Sequence, residues 1–532
     1  MYKKILIYTV LLFGSISSFA QDNNSGQSIE LPDFVITGIQ SVSVPILSKK
    51  KSEFIPIVGK KFLTPNFDAE EFSLIDNSNP IKKEREIRPL IKNFNGLLQL
   101  GVGTQTLPIG RFSFGINKSN FLFNSHLFGV DTRDFVPYSG YNASGAEIKL
   151  NYFVSHKSKF LPGLSFGLEG DFLRDQYNFY GGIDSQRFRE NENYNGKIFM
   201  YSKLDKYLQY GVNLSSNITN IKSDGIFENL LAAEGFFEYK FGTVSLGSNG
   251  IYKIQKINDN IVGYGRADYF SGSAYLRLVN SKTFDLKLGA EYAQIDTNNF
   301  VTPIAVLSIF VEEGVALFVS YEGKANLITY DDFMAENLYF ENDYKNIFQK
   351  KYSNIKAIIK YDFSDIFELN AGFHSATFDN YHYYEDVNVD NKFNIQLMNQ
   401  VKEMGGFLNL TINAKNYGEL FANVEFQDVT DSSGLKIPYK PFLKADFSYG
   451  YNFAFGLYSK VKLNYSRYAY TNLSNTDRLP NYVNLSAFFK YSLFNDFALT
   501  CSLKNILDRK DYLLKNYLEK PRDIIVGIEY RW

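Results

Sequence analysis

Hydrophobic and polar residues alternate strictly along the last ten positions of the chain, 523–532. One face of this segment carries only apolar side chains: Ile524, Val526, Ile528, Tyr530 and Trp532. The other face includes Glu529 and Arg531. Because successive side chains of a β-strand point to opposite faces, the pattern predicts a strand with an apolar face that ends in an aromatic residue. Such a strand is typical of a transmembrane β-barrel, in which apolar side chains face lipid and polar side chains face the lumen.

The same alternation recurs from about residue 95 to the C-terminus, most clearly over 284–292, 443–453, 483–493 and 497–504. No segment after the N-terminus has the roughly 18 consecutive apolar residues of a transmembrane helix. An array of soluble β-sandwiches would need polar outer faces where this chain has Leu, Phe, Val and Tyr. We therefore predict an all-β protein whose residues 95–532 form a transmembrane antiparallel β-barrel.

Turn signals divide this region into about twenty-two strands. We place them near 95–105, 108–119, 120–131, 144–156, 163–177, 193–204, 208–221, 230–241, 244–257, 268–279, 284–296, 302–311, 315–325, 351–363, 367–379, 392–413, 418–429, 441–453, 457–468, 481–493, 497–507 and 523–532. The segment 392–413 could be a hairpin, but we take it as one strand because a further strand would make the number odd. Outer-membrane barrels of bacteria have an even number of strands.

Short turns alternate with longer loops between these strands. The longer loops are 131–143, 178–192, 326–350, 380–391, 469–480 and 508–522. Short periplasmic turns and longer outer loops are typical of outer-membrane barrels, so the alternation predicts that both termini lie in the periplasm. We expect 326–350 to be the longest outer loop and a surface for a ligand or partner.

The N-terminus differs in composition from the barrel region. Residues 1–20 have a basic start, an apolar core and a small-residue cleavage site, which predicts a secretory signal peptide. Residues 21–94 hold six of the 14 prolines. Because proline at this density interrupts helices and sheet ladders, we expect an irregular periplasmic segment with one short extended stretch, 31–38.

Candidate catalytic chemistry is sparse. The 56 basic and 57 acidic residues nearly balance, so nothing indicates nucleic acid as a partner. The four histidines have neither the spacing of a zinc site nor nearby triad partners, and Cys501 is the only cysteine. Asp386, Asn388 and Asp390 have the spacing of a calcium loop, but the usual glycine and glutamate are replaced. We expect a solvated acidic loop there, with no metal, no cofactor and no enzymatic activity.

Several C-terminal stretches resemble the barrel of TonB-dependent outer-membrane receptors. They are Leu479–Leu485, Lys504–Tyr512, Pro521-Arg522 with the closing strand, and the proline-bearing loop 437–441. Twenty-two is also the strand number of that family. The resemblance implies uptake or capture of a nutrient ligand, and it makes Ile528, Tyr530 and Trp532 the signal for the barrel-assembly machinery.

A second likeness lies near the N-terminus, where one stretch resembles a TonB box: Leu31, Pro32, Asp33, Phe34, Val35, Ile36, Thr37 and Gly38. In that family a TonB-type periplasmic energising protein pairs with the box as an added strand.

The chain departs from the family between box and barrel. Only residues 39–95 stand where the family has a much longer plug domain, so we expect no standard plug. A 22-stranded transporter has a filled lumen, and three occupants are open: the N-terminal segment, in-folded outer loops or a separate protein. Two other functions also remain open, a barrel that hosts another protein as a structural or assembly partner, and a passive porin.

Overall fold

The computed structural model describes residues 95–532 except 119, 156–162, 203–206, 260–262, 281–282, 313, 342–346, 364–365 and 415–416. These residues form a closed antiparallel β-barrel of 22 strands. The sheet closes where the first strand, β1 (Gly96–Gly103), pairs with the last, β28 (Asp523–Arg531). Among the described residues, no helix is both long and apolar enough to cross a membrane.

The remaining strands follow one another around the ring, apart from a few that lie in loops. They are β2 (Thr106–Lys118), β3 (Phe121–Thr132), β4 (Tyr141–Phe153), β5 (Leu164–Asn178), β6 (Phe188–Ser202), β7 (Leu208–Ile221), β8 (Ile226–Phe241), β9 (Val244–Asp259), β10 (Gly263–Asn280), β11 (Phe284–Ile295), β12 (Asn298–Glu312), β13 (Val315–Glu322), β14 (Lys324–Ile328), β15 (Phe340–Glu341), β16 (Ile347–Phe363), β17 (Phe367–Asp379), β18 (Tyr381–Glu385), β19 (Phe393–Met398), β20 (Val401–Asn413), β21 (Glu419–Thr430), β22 (Leu443–Asn452), β23 (Leu457–Ser466), β24 (Tyr482–Ser492), β25 (Phe497–Lys504), β26 (Tyr512–Leu514) and β27 (Tyr517–Leu518).

The strand number predicted from the sequence is confirmed. Every predicted strand overlaps a strand of the barrel, because lipid on one side and the lumen on the other impose a period of two on each of them. Strands β13 and β14 both pair with β16 and together occupy one position in the ring. The predicted strand 315–325 is therefore interrupted, at Gly323.

The prediction of one strand over 392–413 is wrong. The segment contains β19 and β20, and β19 pairs with β18 in a hairpin outside the barrel sheet. The ribbon formed by β17 and β20 bends where this hairpin begins, because Asn380 and Gln400 both have positive φ (53° and 57°). The number of barrel strands stays even, because β19 pairs with β18 in the hairpin and adds no strand to the barrel sheet. The link between β17 and β20, residues 380–400, is therefore longer than the link between β14 and β16, residues 329–346. The prediction that the loop 326–350 is the longest is wrong.

The outward face of the barrel is a band of exposed apolar side chains, illustrated by Leu100 and Val102 of β1 and Val526 of β28. Aromatic rings lie near the strand ends on the side of residues 95 and 532, in pairs such as Tyr239 with Phe241 and Tyr451 with Phe453. An apolar band edged by aromatic residues is the surface that lipid requires.

The inward face is polar and contains ion pairs between strands, both adjacent ones and ones separated by a single strand. Lys490 on β24 contacts Glu529 on β28, which also accepts a hydrogen bond from Gln99 on β1 at 2.8 Å. Arg277 on β10 contacts Asp285 on β11 at 2.6 Å. Such pairing compensates the charges for the loss of bulk water around them.

The end of the barrel opposite residues 95 and 532 carries the additional secondary structure. A short helix, α1 (Tyr330–Glu336), follows β14, and Thr329 caps it with a reciprocal capping box with Asp332. Strands β15, β19 and β18 form a separate three-stranded sheet, in which β15 and β19 are parallel. The loops of this end therefore have structure of their own.

Candidate functional site: a loop cap across one end of the barrel

The segment from β14 to β15 folds over the inner wall of the barrel. Before Gly323, β13 pairs with both β12 and β16, whereas β14, after Gly323, pairs with β16 and not with β12. Strand β16 has an irregularity at Ser353 (φ 44°). The hydroxyl of Tyr269, on the inner face of β10, donates to the backbone oxygen of Ala325 at 2.7 Å. Leu327 and Ala325 join a buried cluster with inward side chains of β10 and β11.

We call the assembly of five segments at this end the loop cap: residues 179–187, 329–341, 380–400, 431–442 and 505–522. These segments share one buried core with the ends of several barrel strands on the same side. The core is largely aromatic and includes Phe179, Tyr330, Phe333, Tyr339, Phe340, Tyr384, Phe393 and Tyr517. Aromatic packing of this kind gives more stabilisation than the buried area alone, so the cap is a folded unit.

Three tyrosines meet at the centre of the loop cap. The rings of Tyr339 and Tyr517 are stacked with centroids 3.8 Å apart, and the ring of Tyr180 lies 6.0 Å from the first and 5.2 Å from the second. Their loops leave the barrel after β5, after β14 and after β25, which are points about a third of the ring apart. Loops from such distant points touch only if they cross the opening. The loop cap therefore spans this end of the barrel.

The three tyrosines stay protonated. Burial raises the pKa of Tyr180, Tyr339 and Tyr517 above the ordinary value of a phenol. Two of the hydroxyls donate to backbone oxygens of other segments: Tyr180 to Leu518 at 2.8 Å and Tyr517 to Asn391 at 3.0 Å. The centre of the cap is thus held by hydrogen bonds as well as by ring packing.

Arg189 anchors the loop cap to the barrel wall. Its side chain, on the inner face of β6, is fully buried. The guanidinium donates to the backbone oxygens of Leu338 at 2.8 Å and Phe340 at 3.0 Å, and it contacts the carboxylate of Asp224. It also lies over the ring of Phe179, 4.6 Å from the centroid. One charged side chain therefore links two segments of the cap to β6.

Carboxylate and amide side chains of the barrel wall bind the first residues of the cap segment 329–341. Glu228 on β8 accepts from the backbone N–H of Tyr330 at 3.1 Å. Asn193 on β6 and Asn217 on β7 donate to Asp331 at 2.9 and 3.2 Å. The segment 329–341 is therefore bonded along its length to the inner wall.

A cluster of polar side chains around Glu336 joins α1 to two further segments of the cap. Glu336 lies 3.4 Å from His382 and 3.4 Å from Lys440. Burial alone would raise the pKa of Glu336, but Lys440 and His382 hold that pKa below its ordinary value. Opening the cap would separate the charges of Glu336 and Lys440.

The sequence-predicted sites are only partly within the described residues. The box-like residues 31–38 lie outside them. Ile528, Tyr530 and Trp532 lie on the outward face with exposed side chains, and their role in assembly stays a prediction. In the acidic loop, the carboxylates of Asp386 and Asp390 accept backbone N–H groups within the loop. In the described part of the chain, no group of three or more His, Cys, Asp and Glu side chains could hold a metal ion.

The cap residues were missed by the sequence reading. Arg189 and Tyr517 are far from Tyr339 in sequence, and no local pattern relates them. Tyr339 itself was within the loop expected to carry a binding surface, and the density of aromatic residues over 330–344 was the available signal.

No family model matches the chain, and no curated protein matches it. Solved structures match the chain. The FrpB iron transporter of Neisseria meningitidis has 12% identity, a TM-score of 0.62 and coverage of 83% of this chain and 82% of that one. The siderophore receptor PirA of Acinetobacter baumannii has 10% identity, a TM-score of 0.63 and coverage of 84% and 81%. The ferric enterobactin receptor PfeA of Pseudomonas aeruginosa, as a mutant, has 12% identity, a TM-score of 0.61 and coverage of 82% and 80%.

These similarities concern the fold. The chain shares its fold, a closed 22-stranded β-barrel, with these TonB-dependent receptors, and this is the fold that the C-terminal motifs led us to expect. These neighbours are described as an iron transporter, a siderophore receptor and a ferric enterobactin receptor.

Proposed function

We propose that this protein is a gated outer-membrane receptor that takes up a nutrient ligand through its barrel, with the loop cap as its outer gate. The observation that carries the proposal is the meeting of Tyr180, Tyr339 and Tyr517 across the opening. A passive porin needs a permanently open path, whereas a cap with a buried aromatic core has to move before a solute passes.

The orientation follows from the same proposal. The termini lie in the periplasm and the loop cap faces the outside, where it meets the ligand first. The box-like residues 31–38 are then on the side where a TonB-type energising protein can pair with them. The similarity in fold to iron and siderophore receptors supports this arrangement, and a metal-chelate ligand is one candidate cargo.

The gate is tested by crosslinking two distant cap segments. The backbone N–H of Ile183 donates to the oxygen of Asp390 at 3.1 Å, and these loops leave the ring at nearly opposite points. Ile183→Cys and Val389→Cys, in a Cys501→Ser background, place two exposed thiols that a short, reducible bifunctional reagent can join. The matched control is Val387→Cys with Val389→Cys, which links one hairpin to itself.

We expect low conductance of the uncrosslinked protein in planar bilayers and a severalfold rise in the Tyr339→Ala/Tyr517→Ala variant. The cross-cap link should abolish the remaining openings until it is reduced, and the control link should not. A large, steady conductance of the unmodified protein would support a porin instead. Silence of the double alanine variant would show that the loop cap is not the barrier.

The energising partner is tested in cells without knowledge of the ligand. Leu338 is buried in the cap, so a cysteine at this position reacts with an impermeant maleimide only when the cap opens. We expect Leu338→Cys to be labelled in energised cells and labelling to fall when residues 31–38 are deleted. Equal labelling with and without that segment would refute coupling through it.

A further inference from the structure

Two exposed arginines, Arg467 and Arg478, lie in the link between β23 and β24, at the end of the barrel that carries the loop cap. The backbone N–H of Arg467 donates to the oxygen of Leu443 at 3.0 Å, which extends the ladder between β22 and β23 by one residue. Val461, an even number of positions earlier on β23, is exposed on the outward face. Since successive side chains alternate between the faces, Arg467 also points outward, at the place where the apolar band of β23 ends.

Arg467 and Arg478, which we call the arginine pair, contact the same aromatic ring. Their guanidinium carbons lie 5.0 Å and 4.8 Å from the centroid of the Tyr468 ring. The two positive charges are therefore no more than about 10 Å apart, a distance over which salt only partly screens exposed charges. Because like charges this close repel each other, an anion bound by both arginines relieves the repulsion.

The carboxylates around the arginine pair bind other cations. Asp477 contacts Lys515 at 2.8 Å, and Asp511 contacts Arg509 at 3.1 Å. Asp477 also accepts the backbone N–H of Arg478 at 2.9 Å. Within the described part of the chain, neither side chain of the arginine pair forms an ion pair with a carboxylate. Its positive charge is therefore available to a partner from outside the protein.

Exposed basic side chains at the same end of the barrel, but on its other side, do have carboxylate partners. Lys222, in the connection after β7, contacts Glu190 at 2.9 Å. Arg266, on the outward face of β10, contacts Asp268 at 3.0 Å. The uncompensated charge of the arginine pair is therefore a feature of the side formed by β22–β24, and it distinguishes this surface from an ordinary solvated mixture of charges.

The place of the arginine pair selects the class of partner. In the proposed orientation, this end of the wall lies at the level of the lipid headgroups in the outer leaflet, whereas a soluble ligand enters the lumen. Arginine binds phosphate through two parallel N–H···O bonds, and a phosphate monoester with about −1.5 to −2 charges at pH 7 matches two guanidinium groups. The centroid of the exposed Phe442 ring lies 5.7 Å from the guanidinium carbon of Arg467, so an apolar surface for an acyl chain is adjacent.

We propose that the arginine pair binds the phosphate group of a glycolipid in the outer leaflet, with Phe442 against an acyl chain of that lipid. The inference rests on the proposed function for the orientation of the barrel, and it adds a lipid partner to it. The link that carries the arginine pair is bonded to the loop cap, since the backbone N–H of Tyr439 donates to the oxygen of Tyr470 at 2.8 Å. The bound lipid therefore steadies this edge of the cap at the membrane surface.

The test is native mass spectrometry of the purified full-length protein, mixed in detergent either with bisphosphorylated lipid A or with the same lipid after removal of its phosphates. We expect the phosphorylated lipid to stay bound, and Arg467→Gln/Arg478→Gln to lower the bound fraction severalfold. The matched control is Arg266→Gln, which removes a paired arginine from the outward face. It should bind the lipid like the unmodified protein.

Three outcomes overturn the glycolipid site. They are equal binding of lipid A with and without its phosphates, equal binding by the double variant and the control, and binding of inorganic phosphate or phosphatidylglycerol as tightly as lipid A with the same dependence on the arginine pair. Folding of each variant is checked by its heat-modifiable migration on SDS gels. The crosslinking and labelling experiments measure no lipid binding, so failure of the proposed gate and failure of this site are distinguishable.

Discussion

Arg189 is the residue that binds the cap segment 329–341 to the barrel wall. Its guanidinium satisfies two backbone oxygens and one carboxylate in a place without solvent. Removing one partner of a buried ion pair costs about 3–5 kcal/mol, because the other charge stays buried without compensation. The partner here is Asp224, in the short connection after β7, whose side chain is 8% exposed.

We therefore expect Arg189→Met to release residues 329–341 from the wall while the barrel stays folded. Limited proteolysis should cleave this segment at least tenfold faster than in the unmodified protein. The matched control is Arg174→Met on the outward face, where a partly exposed pair with Glu190 (3.2 Å) contributes little. Equal cleavage of the two variants would contradict the role of Arg189.

Glu519 makes the loop cap sensitive to pH. Burial raises the pKa of this carboxyl group to about 7, and in the described chain its Oε2 atom has no hydrogen-bond partner. Asp511 also raises the pKa, whereas the ammonium and backbone N–H of Lys520 lower it, and the phenols of Tyr180 and Tyr482 are nearby. The protonated form is therefore the one that suits the folded cap.

The sign of the effect follows from this raised pKa. The stabilisation of the folded cap by protonated Glu519 is complete below the unfolded pKa of about 4.5 and is lost as the pH rises through about 7. Each unit of difference between the two pKa values changes the equilibrium constant for opening about tenfold. We expect hydrogen exchange in residues 505–522, relative to Glu519→Gln at the same pH, to be faster at pH 8 than at pH 5.5. A ratio independent of pH would refute the assignment.

At the scale of elements, two ribbons bend into the opening by the same device. The β14–β16 ribbon bends at Gly323 and Ser353, and the β17–β20 ribbon bends at Asn380 and Gln400. Beyond each bend, the ribbon no longer pairs with the adjacent barrel strand: this is β14 with its part of β16 in the first ribbon, and the β18–β19 hairpin in the second. Both parts pack into the loop cap. The period of two predicted the strands of both ribbons, but it contains no information about such bends, which explains the incorrect strand over 392–413.

Asn380→Val tests the second bend. A β-branched residue disfavours the left-handed conformation by about 1–2 kcal/mol, and the variant also loses the hydrogen bond from Asn380 Nδ2 to the backbone oxygen of Phe348 (3.0 Å). We expect faster hydrogen exchange in β18 and β19. Asn380→Gly loses the same hydrogen bond but tolerates positive φ, so it should have a smaller effect. The reverse order would rule out the bend as the determinant.

At the scale of the whole molecule, the barrel was predictable and the cap was not. Each barrel strand has to satisfy lipid, lumen and two neighbours, so the alternation repeats in the sequence and the strands can be counted. The loop cap depends on contacts such as that between Arg189 and Leu338, which are 149 positions apart. Such contacts obey no local period. The proline-rich stretch and the box-like residues gave predictions that the described residues leave open.

Closure of the barrel depends on the pairing of β1 with β28, and the junction offers a sharp test. Trp532 packs its ring over Gly96, where a side chain would overlap the indole, and it also contacts the rings of Phe112 and Tyr530. We expect Gly96→Val to displace the indole and reduce the folded fraction in isolated outer membranes severalfold, measured by heat-modifiable migration on SDS gels. Gly196→Val is the matched control, because a side chain at Gly196 on β6 meets no atom within 4 Å. Equal folded fractions of the two variants would mean that the last strand closes the ring without help from its terminal tryptophan.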